Sequence, residues 1–332
     1  MQPVTISKYE IEDLAEIGWE QYQSLFRNRN NGRLIPNTQV WQDGILHMMV
    51  NSLGCKGGEP KPDLPAIGFF GDSSVMGPNV TVQNYPGLVN IEGVQPINCA
   101  VEASEIGISA DIYLELRQKI DFLMVVVHPG WHNLIYNDCN EQYWEEKLSV
   151  FLDAERVAYC TIATCLTDEC RIRGLDELLT NVTDQFGFKK LKDAAAILDG
   201  NLFAFWHTME HSLKTINRIM DAIERHNAFI REFAHRHGSL LIDLNTHLRP
   251  PTYENIPQHF WDVCHPRPSA FPLIAEFIQG EIVSEVSRLI KDPSVKKRIR
   301  RRRLLARSIF GKIATRLRKS EPGKNEHQHD IY

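Results

Sequence analysis

No basic segment followed by an apolar one opens the chain. Residues Met1 to Leu25 carry Glu10, Glu12, Asp13, Glu16 and Glu20 among scattered apolar residues, the layout of neither a signal peptide nor a membrane span. The expectation is a cytoplasmic protein. Cysteine is sparse and odd in number: Cys55, Cys99, Cys139, Cys160, Cys165, Cys170 and Cys264. At least one is therefore unpaired within a monomer, and the size of the chain favours reduced thiols. Cys160, Cys165 and Cys170 recur every five residues, which is neither C-x-x-C nor a spacing that keeps thiols on one helical face, so they read as core or surface cysteines. Internal repeats are absent. No Lys follows Gly71-Asp72-Ser73-Ser74, which removes a Walker-type phosphate cradle.

The 332 residues are 43% hydrophobic and 24% charged, enough for one α/β domain with extensions. Charge is unevenly placed. Lys291 to Lys319 holds 13 Lys or Arg against one acid, Asp292, and carries +12; the last 13 residues carry −2. With −5 overall, Met1 to Ile290 carries −15, a poor platform for nucleic acid or polyanions. The tail sets Leu305, Ile309, Ile313 and Leu317 at i, i+4 spacing among Arg300 to Arg303, Arg307, Lys312 and Arg316. Such a helix suits an anionic membrane surface, and a solvated helix or one docked on the acidic body explains it equally.

The chain is organised around Ala66-Ile67-Gly68-Phe69-Phe70-Gly71-Asp72-Ser73-Ser74. A short apolar run ending in a Gly turn places a serine at the carboxyl end of a strand, where open α/β sheets build ligand sites. Ahead of it, Ser7 to Phe26 reads as an acidic amphipathic helix, Gln42 to Leu53 as a helix or strand, and Gly54 to Pro65 as a loop. Beyond it, Val94 to Ala100 is a strand candidate, Ala103 to Lys119 a helix, and Phe122 to Val127 a strand apolar enough to be covered on both faces. Glu141 to Asp199 and Asn201 to Arg236 read as helical, Ser239 to Asp243 as a strand, and Phe271 to Ile290 as a closing amphipathic helix. Alternating strands and helices predict a three-layer α/β/α fold on a mostly parallel, doubly wound sheet.

Two constellations carry chemistry. Asp262-Val263-Cys264-His265 sets an Asp three residues before a His on a loop broken by Pro266 and Pro268. Asp262 can accept from the imidazole Nδ1–H while Nε2 faces a serine hydroxyl, which needs such a base to attack. A serine early with Asp and His late and close together differs from the chymotrypsin, subtilisin and α/β-hydrolase orders. His207-Thr208-Met209-Glu210-His211 matches H-x-x-E-H, an inverted zincin pattern, with Glu281 or Glu285 as a conceivable third ligand. Five residues make a cheap pattern, and a crossover helix with two surface histidines explains it more simply.

Taken together, these residues resemble the SGNH (GDSL-type) hydrolase family. Gly71-Asp72-Ser73 matches the nucleophile block, Asn98-Cys99-Ala100 the second, Gly130-Trp131-His132-Asn133 the third, and Asp262 to His265 the last. The likeness spans about Asp63 to Ile290 and implies an SGNH domain over 63–290, a helical extension over 1–62 packed on it, and a basic helix with a polar tail over 291–332. It implies a serine esterase with Ser73 as nucleophile, His265 as base and Asp262 as its orienting acid, needing no metal or organic cofactor. The oxyanion would rest on the N–H groups of Ser73 and Ala100 and on a side chain of the third block. Ala100 stands where the family has glycine. His132 stands where it has asparagine, unless a one-residue shift brings in Asn133. The implied substrates are O-acetyl groups on carbohydrate or lipid acyl esters. Acyl transfer at the same site, and a non-catalytic binding role on the same scaffold, are the alternatives.

Overall fold

The computed structural model describes residues 6–11, 24–28, 31–77, 84–102, 104–136, 140–164, 166–169, 213–250, 255, 259–260, 265–295, 297–299 and 301. Two sheets form. The first holds β1 (Ser7–Ile11), β2 (Thr38–Gln42) and β3 (Ile45–Val50), with β1 parallel and β3 antiparallel to β2. The acidic helix expected from Ser7 is thus corrected to a strand at its start; the rest of that stretch to residue 23 lies outside the described residues. Pairing with β2 along five residues, Ser7↔Thr38 to Ile11↔Gln42, outweighs the weak helical pattern. The 42–53 ambiguity resolves to strand. Asp43 and Gly44 form a two-residue turn with φ of 50° and 74°, the positive-φ geometry that matches hairpin twist.

The second sheet carries the site. Its strands are β4 (Ala66–Gly71), β5 (Gln95–Asn98), β6 (Phe122–His128), β7 (Val157–Cys160) and β8 (Leu240–Ile242), in the order β5-β4-β6-β7-β8 with all neighbours parallel. Between them run the short helices α1 (Ser73–Met76) and α2 (Tyr85–Leu88), then α3 (Ile106–Leu116), α4 (His132–Tyr136), α5 (Glu141–Ser149) and α6 (Leu213–Arg236). The helices α7 (Leu244–Leu248) and α8 (Phe271–Lys291) follow. The strand at β7 is a correction to the expected helical run from Glu141. Val157-Ala158-Tyr159-Cys160 is buried throughout, and four residues amid helix-forming sequence are too few to show a period.

Alternation along β4 builds the layers, because neighbouring strand residues face opposite sides. Phe70 meets Tyr113 of α3 and Phe151 at ring-centroid distances of 5.7 and 5.5 Å. Phe69 faces the other way, 6.4 Å from Tyr85 of α2, which in turn lies 6.3 Å from Phe271 of α8. The chain is thus a three-layer α/β/α structure on a mostly parallel sheet. One continuous core joins Phe26, Val40 and Met48 of the amino-terminal region to the sheet and to Val295 and Ile299 beyond α8. There the basic segment begins docked: Arg298 pairs with Glu155 of the loop before β7. Residues 302–319, with the apolar stripe of the tail, lie outside the described residues. Among the described residues no helix is long and apolar enough to cross a membrane.

Phe70 is fully buried at the centre of this aromatic cluster. Phe70→Ala is expected to lower the unfolding free energy by about 3–5 kcal/mol, seen as a lower urea midpoint at unchanged slope.

Candidate active site

Strand order fixes where the site lies. From β4 the chain steps to β5 on one side and then to β6 on the other, so the order reverses between β4 and β6. The crevice beyond their carboxyl ends is the binding position of open α/β sheets. Gly71 pairs with His128 at that end. The chain leaving β4 therefore runs beside the chain leaving β6, with Asp72-Ser73 against Pro129 to Asn133.

Asp72 caps α1: its Oδ1 accepts from the Ser74 N–H at 2.9 Å, and its backbone carbonyl accepts from Val75 and Met76. The other carboxylate oxygen lies 3.5 Å from His132 Nδ1. Gly130 lies flat against this carboxylate, and a Cβ there would fall 1.7 Å from Asp72 Oδ2. The glycine of the third block is thus a condition for Asp72 to be seated at all. Burial by itself would raise the Asp72 carboxyl, but the hydrogen bond and charge of His132, the charge of His128 and the Ser74 N–H together hold it at about 2. Behind it, His128 Nδ1 hydrogen-bonds the Tyr85 hydroxyl at 3.0 Å, both groups buried. Burial pulls His128 down to about 4 against the pull of Asp72, so its ring is neutral near neutral pH.

Ser73 opens α1, where backbone N–H groups have no acceptor within the helix. Its Oγ lies 2.7 Å from His265 Nε2, 192 residues away in the chain. The structure thus brings together the serine and histidine expected from sequence. Asp262, like His207, Glu210 and His211, lies outside the described residues. Glu285 is engaged by Arg288 and Arg156. Among the described residues no group of three His, Cys, Asp or Glu is arranged to hold a metal ion.

The remaining expected residues divide. The loop after β5 stays beside β4, with Cys99 N–H on the Phe69 carbonyl at 2.8 Å and Val101 N–H on the Gly71 carbonyl at 3.0 Å. The Ala100 N–H between them donates to Asn98 Oδ1 at 3.1 Å. Asn133 is fully buried, and its Oδ1 accepts from the Ile106 N–H at 2.8 Å, at the start of α3. His132 is the third-block side chain that meets Asp72, the residue before Ser73.

Other residues around Ser73 escape a reading of the sequence. At the far end of α1, Asn98 Nδ2 donates to the Val75 carbonyl at 3.1 Å and Asn84 Nδ2 to the Met76 carbonyl at 3.2 Å. Lys56, from the loop expected only to deliver the chain to β4, is 4% exposed and donates to the same end. Nothing in a Gly-, Pro- and Lys-rich loop signals a buried ammonium. Cys55 and Cys99 sit beside it with sulfurs 3.6 Å apart, both free thiols.

No protein-family model matches the chain, and no curated protein does. Thirty-one chains of solved structures match it. It is similar to LAE5, an alpha/beta hydrolase enzyme from the metagenome of Lake Arreo, Spain, at 12% identity and a TM-score of 0.42 over 69% of this chain and 97% of that one. It is similar to the lipase/acylhydrolase from Enterococcus faecalis at 17% identity and a TM-score of 0.43, over 67% and 97% of the two chains. A third likeness is to Axe2, an acetylxylan esterase from Geobacillus stearothermophilus, at 14% and 0.41 over 66% and 94%. Likenesses this distant say nothing of the chemistry this chain performs.

A carboxyl held below its unfolded value stabilises the folded state above that value and ceases to as pH falls through the folded one. The stability margin of wild type over Asp72→Asn is therefore expected to be full above about pH 4 and to shrink as pH falls toward 2. Denaturant midpoints measured across that range check it.

Proposed function

We propose that this chain is a serine ester hydrolase of the SGNH type. The observation that carries the reading is the 2.7 Å contact between Ser73 Oγ and His265 Nε2, made where the strand order reverses. A hydroxyl is a weak nucleophile, and an imidazole nitrogen within hydrogen-bond reach is what activates it. Ser73 Oγ attacks the ester carbonyl carbon as its proton passes to His265 Nε2. Collapse of the tetrahedral intermediate expels the alcohol, which takes that proton back. Water then attacks the acyl-Ser73 ester through the same histidine and frees the acid. Asp262, three residues before His265, orients the imidazole at Nδ1 and stabilises its charged form.

Negative charge on the intermediate's oxygen needs fixed donors. The Ser73 N–H at the start of α1 supplies one, helped by the positive end of the turn. His132 supplies another. Asn133 Oδ1 is bound to the start of α3, and His132, in register with the family's asparagine, is taken as this donor. Ala100 can contribute its N–H only by giving up or sharing its bond to Asn98.

Hydrolysis of a short-chain aryl ester tests the reading. Ser73→Ala and His265→Ala are expected to lose at least about 10³-fold in kcat, and chelator treatment to change nothing. Turnover that survives Ser73→Ala, or that chelation abolishes, would refute the serine mechanism. His132→Ala is expected to lose about 10²- to 10³-fold in kcat with little change in KM. In Asn133→Ala the larger change is expected in thermal stability.

A further inference from the structure

Resting on the reading of Ser73 as a nucleophile, we infer that Lys56 is a positioning residue: its buried ammonium clamps the carboxyl end of the nucleophile turn and ties it to the second block. A helix of one turn cannot hold itself together. Its nucleation cost is unrecovered, and its last carbonyls have no partners within it. In α1 those carbonyls face inward, where an unmet polar group is expensive. Gly77 closes the turn with its N–H on the Ser73 carbonyl at 2.9 Å. Lys56 Nζ donates to the Met76 carbonyl at 3.0 Å and, closer still, to the Gly77 carbonyl.

The backbone of Lys56 is anchored independently. Its N–H donates to the Asn98 carbonyl at 3.0 Å, in an antiparallel bridge between the two residues. Asn98 reaches back to the Val75 carbonyl. The turn that presents Ser73 and the strand end that leads to Ala100 are thus joined through one side chain from a third segment. A cation is the fitting donor, because carbonyls at a helix carboxyl end carry partial negative charge.

Among the described residues, the charged group facing Lys56 is Glu102, on the loop after β5. The α1 turn offers it carbonyls; Asn84 Nδ2 donates to one of them, that of Met76, and the Cys99 thiol, hydrogen-bonded to Cys55, is pushed up by burial. Burial lowers the ammonium to about 7, against the opposing pull of Glu102. The clamp therefore loses its charge as the solution turns mildly alkaline, while a neutral amine keeps weaker donors.

The test is the pH profile of aryl-ester turnover in Lys56→Met, Lys56→Arg and Glu102→Gln, with hydrogen exchange of the α1 amides at neutral pH. Lys56→Met is expected to lose about 10- to 100-fold in kcat, the scale of a small misplacement, with KM within about twofold and faster exchange at Gly77. Lys56→Arg restores most of the rate and moves the alkaline limb of kcat/KM upward. Glu102→Gln moves that limb downward, and it carries the test should Lys56→Met fail to fold. Full kcat in Lys56→Met, or one alkaline limb shared by all variants, would overturn the inference. Should wild type show no serine-dependent turnover, the functional reading falls, and exchange still decides: unchanged protection of the α1 amides in a folded Lys56→Met or Lys56→Gln denies the clamp.

Discussion

A carboxylate buried beneath a serine is the constraint on which this structure turns. Asp72 is 1% exposed, and a charge so placed persists only where the surrounding groups replace its lost water. Its environment meets that need from two strand ends: the Ser74 N–H beyond β4, and the third block beyond β6, where Gly130 leaves room and His132 lies alongside. The parallel pairing that sets Gly71 opposite His128 makes the two ends adjacent. Strand order, a glycine and a one-turn helix are therefore parts of one solution to holding a buried charge next to Ser73.

The same turn is held at its opposite end by groups of opposite polarity. Acceptors at the amino end meet α1 through Asp72, and donors at the carboxyl end meet it through Asn98, Asn84 and Lys56. These side chains come from separate segments, so the position of Ser73 is set by the fold as a whole. This is how a rigid scaffold holds a side chain in place on a short and otherwise unstable element. His265 comes from the far end of the chain, just before the segment that leads into α8, and meets Ser73 across the crevice.

The sequence discloses the elements that a periodic or apolar run marks, and hides those set by long-range pairing. Phe122 to Val127 could only be a strand buried on both faces, and it extends by one residue to His128. The closing helix from Phe271 ends one residue past its expected limit, at Lys291. Val157 to Cys160 is a strand because Val125 to Val127 and Leu240 to Ile242 flank it, information absent from four residues of sequence. At the site, Ser73 and His265 read as a pair at any separation because a serine hydroxyl and an imidazole are natural hydrogen-bond partners, and the structure sets Oγ 2.7 Å from Nε2. Asp72 was legible as a letter of a motif and not as a buried charge. The Asn133 contact to Ile106 and the burial of Lys56 depend on which loops the sheet brings together, and no local pattern encodes that.

Activation of Ser73 by His265 is the proposal on which the function rests. Reaction with a fluorophosphonate, followed by peptide mapping of the adduct, tests it most directly, because it needs no knowledge of the substrate. A single adduct on Ser73, formed by wild type and nearly absent in His265→Ala, is the predicted result. No adduct, an adduct on another residue such as Ser74, or equal labelling of the two proteins would contradict it.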